Sequence, residues 1–314
     1  MSDYSKYIWY NSEIIPWEEA TTHVMSHVLH YGSGVFEGIK CYDTSNGPAI
    51  FRLDEHIDRL FKSASLYGIK IPCSKDDIIK GCKDVVNKNE LRSCYIRPIA
   101  FYGYDTLGVD PKECPVNIAI ASFYWGAYLG EDGVKKGVNV TISPYEKISH
   151  KAMPTTAKAS GQYMNSLLSV TEARSRGYDE AILLNSDKSV AEGSGQNLFY
   201  VKDNIVYTND ENSSILMGIT RESILTICKD IGIPTKIKAI SLNDLELADE
   251  LFFTGTASEV TPIRSIDDKL ISNGHPGEIT SRLRDYYMDI VFGKNIKYHC
   301  WLSLLNNNET VSNP

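Results

Sequence analysis

Lys158 stands in the run M-P-T-T-A-K-A-S-G-Q-Y-M (residues 153–164), between Ala157 and Ala159. Small neighbours leave room for a bulky group to reach the amine. An amine attacks a carbonyl only when unprotonated, so imine chemistry here needs surroundings that lower its proton affinity. On this segment alone an ordinary solvated lysine is the commoner reading. A carboxylate, Glu192, opens the turn in A-E-G-S-G-Q-N-L-F-Y-V. That is no dinucleotide fingerprint, since the third glycine is absent and a strand follows rather than a helix. Gly218, Ile219 and Thr220 open a predicted helix and offer free N–H groups and a hydroxyl to an anion. A Thr-Gly-Thr-Ala turn supplies further donors at Thr254, Thr256 and Ala257. In the first half, Tyr95 and Arg97 fall on one face of the predicted strand C-Y-I-R-P-I-A-F, where Pro98 holds Arg97 extended. A phenol beside a guanidinium suits a carboxylate, and an exposed strand pair is the plain alternative.

Elements have to hold these groups. I8-W9-Y10 followed by N11-S12-E13 reads as strand, turn, strand. A helix is predicted from Asp54, as N-cap, to Tyr67, stopped by Gly68 and striped by Ile57, Leu60, Phe61 and Ala64. Arg59 lies opposite that stripe on a ~100° per residue wheel. It faces either solvent or an anion across a cleft. A second helix carries the capping pair Ser74 and Asp77 and a stripe of Ile78, Cys82, Val85 and Val86. The loop Gly103–Pro115 is a candidate lid, and Y124-W125-G126-A127-Y128-L129-G130 reads as an interdomain linker. Beyond it, Ser160 to Arg176 reads as a helix whose stripe is Met164, Leu167, Leu168 and Thr171. Helices are also expected near Gly218, with Ile224, Leu225, Cys228 and Ile231 inward, and from Gly277 to Phe292.

Composition sets limits. The chain has 314 residues, 42% hydrophobic and 23% charged, enough for a large core and, as a prior, two domains. A net charge of -8 and the lack of a basic stripe argue against a nucleic-acid partner. No uncharged apolar run is long enough for a membrane, and the opening residues lack a signal peptide's pattern. Seven scattered cysteines without a C-x-x-C pair fit reduced thiols, so a cytoplasmic location is expected. His23, His27 and His30 have helical spacing, but no carboxylate or cysteine completes a metal set, and no metal is expected.

A lysine between small residues, an acid on a glycine turn, a helix N-terminus and a Thr-Gly-Thr turn together meet the needs of pyridoxal phosphate. The aldehyde needs an amine, the ring nitrogen an acidic partner, and the phosphate donors. The chain resembles the branched-chain amino acid aminotransferases of fold type IV, close to the bacterial enzyme, over nearly its whole length. The resemblance is carried by H-Y-G-S-G-V-F-E-G-I-K (30–40), E-H-I-D-R-L (55–60), Y-I-R-P (95–98) and W-G-A-Y-L-G (125–130). It continues in T-A-K-A-S-G-Q-Y (156–163), E-G-S-G-Q-N-L-F (192–199), G-I-T-R (218–221) and G-T-A-S-E-V-T-P (255–262).

That resemblance implies an α/β (α+β) fold of two α/β domains with the cofactor in the cleft between them. The smaller would span 1–123, a linker 124–133 and the larger domain 134–314. It implies reversible ping-pong transfer of an amino group between L-leucine, L-isoleucine or L-valine and 2-oxoglutarate. Lys158 would be the Schiff-base lysine and proton carrier, Glu192 the partner of the ring nitrogen, and Tyr163 that of the ring oxygen. Arg59, the amides of Ile219 and Thr220 after Gly218, and Thr256 would take the phosphate. Tyr95, Thr256 and Ala257 would hold the substrate α-carboxylate, and Arg97 the distal carboxylate of glutamate. Phe36, Trp125, Tyr128 and Tyr163 would line the aliphatic pocket, with Tyr31 and Val109 reaching in from a second subunit. Partners would be amino acids, 2-oxo acids and a second copy of the chain, as homodimers at least and in some relatives hexamers. Ser160 and Gln162 stand where Gly and Asn are usual, and Met217 where proline is. Rival readings are a D-amino acid or (R)-amine aminotransferase or an aminodeoxychorismate lyase of the same fold, or a cofactor-free Schiff-base aldolase.

Overall fold

A computed structural model describes residues 5–126 and 129–305. It divides into two compact units, one formed by residues up to Trp125 and from Met288 onward, the other by Gly126–Tyr287. The helix Glu278–Val291 spans the second change, so the closing segment returns to the first unit. Each unit has its own sheet with helices, a mixed α/β architecture.

The first unit holds an eight-stranded sheet. Its order is Leu302–Leu304, Gly47–Phe51, Ile39–Thr44, Cys94–Tyr102, Val116–Phe123, Tyr7–Tyr10, Glu13–Pro16, with Gly34–Phe36 also on Cys94–Tyr102. Gly34–Phe36 and Ile39–Thr44 lie in one continuous register on Cys94–Tyr102, with Phe36 opposite Ile99 and Ile39 opposite Ile96. The strand is interrupted between them because Pro98 accepts from the Glu37 N–H at 2.8 Å but has no N–H to return. Glu37 and Gly38 occupy that interruption.

The helix Lys75–Lys88 carries the expected capping box of Ser74 and Asp77, and buries Ile78, Cys82, Val85 and Val86. Gly81 lets it approach the sheet, since a Cβ there would lie 2.8 Å from the Trp9 ring. The helix Leu53–Leu66 starts one residue before the expected Asp54. Arg52, not Asp54, is its N-cap, in left-handed backbone at φ 53°. The closing segment holds Arg52 there: its N–H donates to the Trp301 carbonyl at 2.7 Å, and its guanidinium lies 4.7 Å from the Trp301 ring. The helix buries His56 and Ser63 as well as Ile57, Leu60 and Ala64, so it has a second, polar inner face. Arg59 belongs to that face.

The second unit holds a nine-stranded mixed sheet. Its order is Val190–Gly193, Glu180–Leu184, Val138–Ile142, Glu259–Ile266, Glu250–Gly255, Asn197–Lys202, Ile205–Thr208, Thr235–Ile237, with Lys269–Leu270 on Glu259–Ile266. Two helices differ from expectation. Part of the stretch read as linker is the helix Gly130–Lys136. The helix after Lys158 runs from Tyr163 to Ser175, preceded by a 3-10 turn Ser160–Gln162. Its expected stripe is inverted: Met164, Leu167 and Leu168 are 60%, 53% and 44% exposed, Thr171 is exposed too, and Ser169 and Ala173 face inward. Small inward residues let this helix pack closely on the strand Glu180–Leu184, and the apolar face is left outside.

Among the described residues no helix is long and apolar enough to cross a membrane. The three histidines each have ordinary hydrogen bonds. His23 accepts from the Met25 N–H, His27 pairs with Ser33 and the Gly108 carbonyl, and His30 with the Val24 carbonyl.

Candidate active site

In the second unit, Lys158 lies on a loop closed by the Gln162 side-chain amide, which donates to the Pro154 carbonyl at 3.0 Å. That gives the unusual Gln162 a structural task. Ala157 and Ala159 are buried and Lys158 is half-buried, with Nζ donating to the Tyr163 hydroxyl at 2.5 Å. The 3-10 turn turns Tyr163 back toward the lysine five residues earlier. Thr155 Oγ1, also buried, has no hydrogen-bond partner among the described residues.

Glu192 sits at the end of the strand Val190–Gly193, 6% exposed. Gly193 follows because a Cβ there would lie 2.6 Å from Gln196 Oε1 and 2.9 Å from the Phe253 ring. The carboxylate is held on both oxygens. Oε1 accepts from Lys147 Nζ at 2.6 Å, and Oε2 from Asn197 Nδ2 and the Leu216 N–H, each at 3.1 Å. A carboxylate has about four acceptor positions. Described residues take three, and the position left among them, on Oε1, fits a protonated ring nitrogen.

Asn197 ties this acid to the helix Ile219–Asp230. Its amide also donates to the Leu216 carbonyl at 2.8 Å, and its Oδ1 would lie 2.0 Å from a Cβ at Gly218. Only glycine fits that N-cap, and the first amides of the helix, from Ile219 and Thr220, are unblocked by any side-chain cap. Met217, 37% exposed, precedes it. Asn197 also lies opposite Thr254 in the sheet, which brings the Thr254–Ala257 turn beside the Gly193–Gly195 turn. Thr256 and Ala257 are half-buried there. The neighbouring hydroxyls of Thr254 and Ser258 are buried without a hydrogen-bond partner among the described residues, donors that suit a phosphate.

In the first unit, Arg59 is gripped by a fully buried carboxylate that sequence reasoning passed over. Glu37 takes Arg59 Nε at 2.6 Å and Nη2 at 2.9 Å, and His56 Nδ1 at 2.6 Å. Burial would raise the Glu37 carboxyl, but the charges and hydrogen bonds of Arg59 and His56 overcome it and hold it well below the usual carboxylate range. The signal available was its place in F-E-G-I-K, three residues past a Gly and before another. One residue type alone could not assign it.

Tyr95 and Arg97 do share a face. The guanidinium lies 5.2 Å from the Tyr95 ring and 4.9 Å from that of Phe36, and Trp125 meets Tyr95 edge-on at 4.5 Å. Gly38 is obligatory, since its Cβ would lie 1.7 Å from the Tyr95 hydroxyl. Arg97 Nε is buried with no hydrogen-bond partner among the described residues. Tyr31 and Val109 are not part of this group. They are 45% and 78% exposed, and the Tyr31 hydroxyl donates to the Leu107 carbonyl at 2.7 Å. Tyr128 lies outside the described residues.

Residues 34–266 match the family model described as amino-transferase class IV. The chain is similar to the branched-chain-amino-acid aminotransferase of Pseudomonas aeruginosa, 44% identical over 97% of this chain and 99% of that protein. Its counterpart in Escherichia coli K12 is 42% identical over 96% and 97%. The crystal structure of the Escherichia coli branched-chain amino acid aminotransferase superposes with a TM-score of 0.94 at 42% identity, over 96% of this chain and 100% of that one. The branched-chain amino acid aminotransferase from Thermobaculum terrenum, solved in its PLP-form, gives 0.90 at 34% identity over 97% and 100%.

Proposed function

The chain belongs to the amino-transferase class IV family, and from that premise we infer the reaction it performs. It is a branched-chain-amino-acid aminotransferase that moves an amino group between leucine, isoleucine or valine and 2-oxoglutarate, with pyridoxal 5′-phosphate as carrier. When bound, that cofactor supplies an aldehyde that takes the amino group and a ring that accepts the electron pair left on the substrate Cα. Lys158 Nζ, beside the Tyr163 hydroxyl, would carry the proton between the substrate Cα and the cofactor's C4′, the net shift that transamination requires. Glu192 keeps a proton on the ring nitrogen through its one remaining acceptor position. The resemblance assigns the phosphate to the amides of Ile219 and Thr220, to Thr256 and to Arg59. Tyr95 and the amides of Thr256 and Ala257 take the α-carboxylate.

The observation that carries the substrate assignment is Arg97. Its cation lies against Phe36 and Tyr95, so one wall offers an apolar surface to an aliphatic side chain and a charge to a distal carboxylate. Such a pocket separates aliphatic side chains by only ~1–3 kcal/mol per methylene, so leucine, isoleucine and valine are all substrates. The exposed Tyr31 and Val109, and the exposed face of Met164, Leu167 and Leu168, support a homodimer at least, in which Tyr31 and Val109 serve the other copy. The seven cysteines, all free, fit a reducing compartment such as the cytoplasm.

The test is a spectrum of purified protein before and after L-leucine, with borohydride trapping and peptide mapping. The label should fall on Lys158, and 2-oxoglutarate should reverse the change. Lys158→Ala should lose turnover altogether. Response to D-alanine alone, or a label at another lysine, would overturn the reading.

A further inference from the structure

Lys147 belongs to no motif that the sequence offers, yet it is built into the second unit with care. Its side chain is 12% exposed and pairs with Glu192 Oε1. Its backbone N–H donates to the Leu184 carbonyl at 2.8 Å. The residues on both sides are fixed by one side chain: Asn165 accepts from the Ile148 N–H at 3.2 Å and donates to the Glu146 carbonyl at 3.0 Å. Asn165 stands two residues after Tyr163 on the same helix. The element that begins at the phenol therefore also sets where the ammonium meets the acid.

The two carboxylate oxygens are not equivalent. Oε2 is filled by Asn197 and the Leu216 N–H, so any ligand nitrogen must share Oε1 with Lys147. We propose that Lys147 is a positioning residue that shares Glu192 Oε1 with the cofactor's ring nitrogen and restrains how strongly that carboxylate draws the nitrogen's proton. This rests on the cofactor reading above. A carboxylate facing two cations gives less of its charge to each. Charge that builds on the ring during proton transfer at Cα is then stabilised less than an unshared acid would allow.

The consequence separates this role from mere support. In Lys147→Met, the two donors on Oε2 still hold the carboxylate in place, but it is buried with no cation beside it among the described residues. The stripped protein should lose stability, because an uncompensated buried charge is costly. The ring nitrogen then becomes the acid's cation, so the cofactor should be held more tightly. A lysine that only supports the fold would show both falling together.

The measurement is release of pyridoxal phosphate from the loaded full-length chain, with melting of the loaded and stripped forms. Lys147→Met should bind the cofactor about tenfold more tightly, ~1.4 kcal/mol, while its stripped form melts lower. Lys147→Arg should restore both values. In a Glu192→Gln background, Lys147→Met should leave release unchanged. Faster or unaltered release in Lys147→Met, or the same effect without Glu192, overturns the proposal while the cofactor reading stands. A wild-type chain that takes no label at Lys158 overturns both.

Discussion

Arg59 works only as well as the carboxylate behind it. Glu37 holds two of its nitrogens, which fixes the plane of the guanidinium that we propose for the phosphate. Breaking a buried pair of this kind costs about 3–5 kcal/mol, so Glu37→Gln should lower the melting temperature and speed cofactor loss. Its carboxyl is lowered on folding, so its contribution is fully present above the ordinary glutamate value near ~4.3. It is lost as pH falls from there toward the lowered value. Acid titration of stability should therefore be shallower in Glu37→Gln, and an unchanged slope would count against this cluster. Arg97 is a separate case. Arg97→Ala should raise KM for 2-oxoglutarate and glutamate by about tenfold or more, as expected for a lost charge-assisted bond, with a much smaller effect on leucine. Equal losses would show that it serves both substrates alike. At this scale the sequence singled out Lys158, Glu192 and Arg97 as candidates, and the structure buries Glu192 and half-buries the other two. It did not reveal Lys147, Asn197 or Glu37. Each of these acts by touching a partner distant in sequence (Glu37 and Arg59 lie on different elements), and spacing carries no sign of that.

Two elements show where patterns speak and where they mislead. The Ser74–Asp77 capping box is local, and it stands as read. The apolar stripe of Tyr163–Ser175 has equally plain helical spacing, yet it faces outward. Periodicity says that a face is apolar, not what it meets. The inward side was decided by room: Ser169 and Ala173 are small enough for close packing on Glu180–Leu184. If a second copy covers the stripe, Leu167→Glu with Leu168→Glu should yield a smaller species by sedimentation while the separate chain keeps its helical content. Persistence of the larger species would move the interface elsewhere. The proline of Y-I-R-P gives another lesson. Its missing N–H opens the ladder beside Glu37, and the Cys94–Tyr102 strand continues in register on both sides.

For the whole molecule, the mixed α/β fold was legible through the family resemblance, while length supplied only a prior for two domains. What no linear pattern signals is the return of the chain. Strand Leu302–Leu304 completes the first sheet against Gly47–Phe51, and Trp301 holds Arg52, the N-cap of the helix that bears Arg59. A left-handed arginine needs such outside support. Removal of everything after Asn295 should therefore cost cofactor retention and first-unit stability, seen as faster release and a lower melting temperature. The losses should be larger than removal of the residues after Leu305 produces. During synthesis the timing matters. Strand Leu302–Leu304 emerges from the ribosome later than any other described strand of either sheet, so a growing chain that already carries Glu37 and Arg59 still lacks the Trp301 contact that holds Arg52. The N-cap of the helix that bears Arg59 therefore gains its outside support only once that tryptophan has been translated.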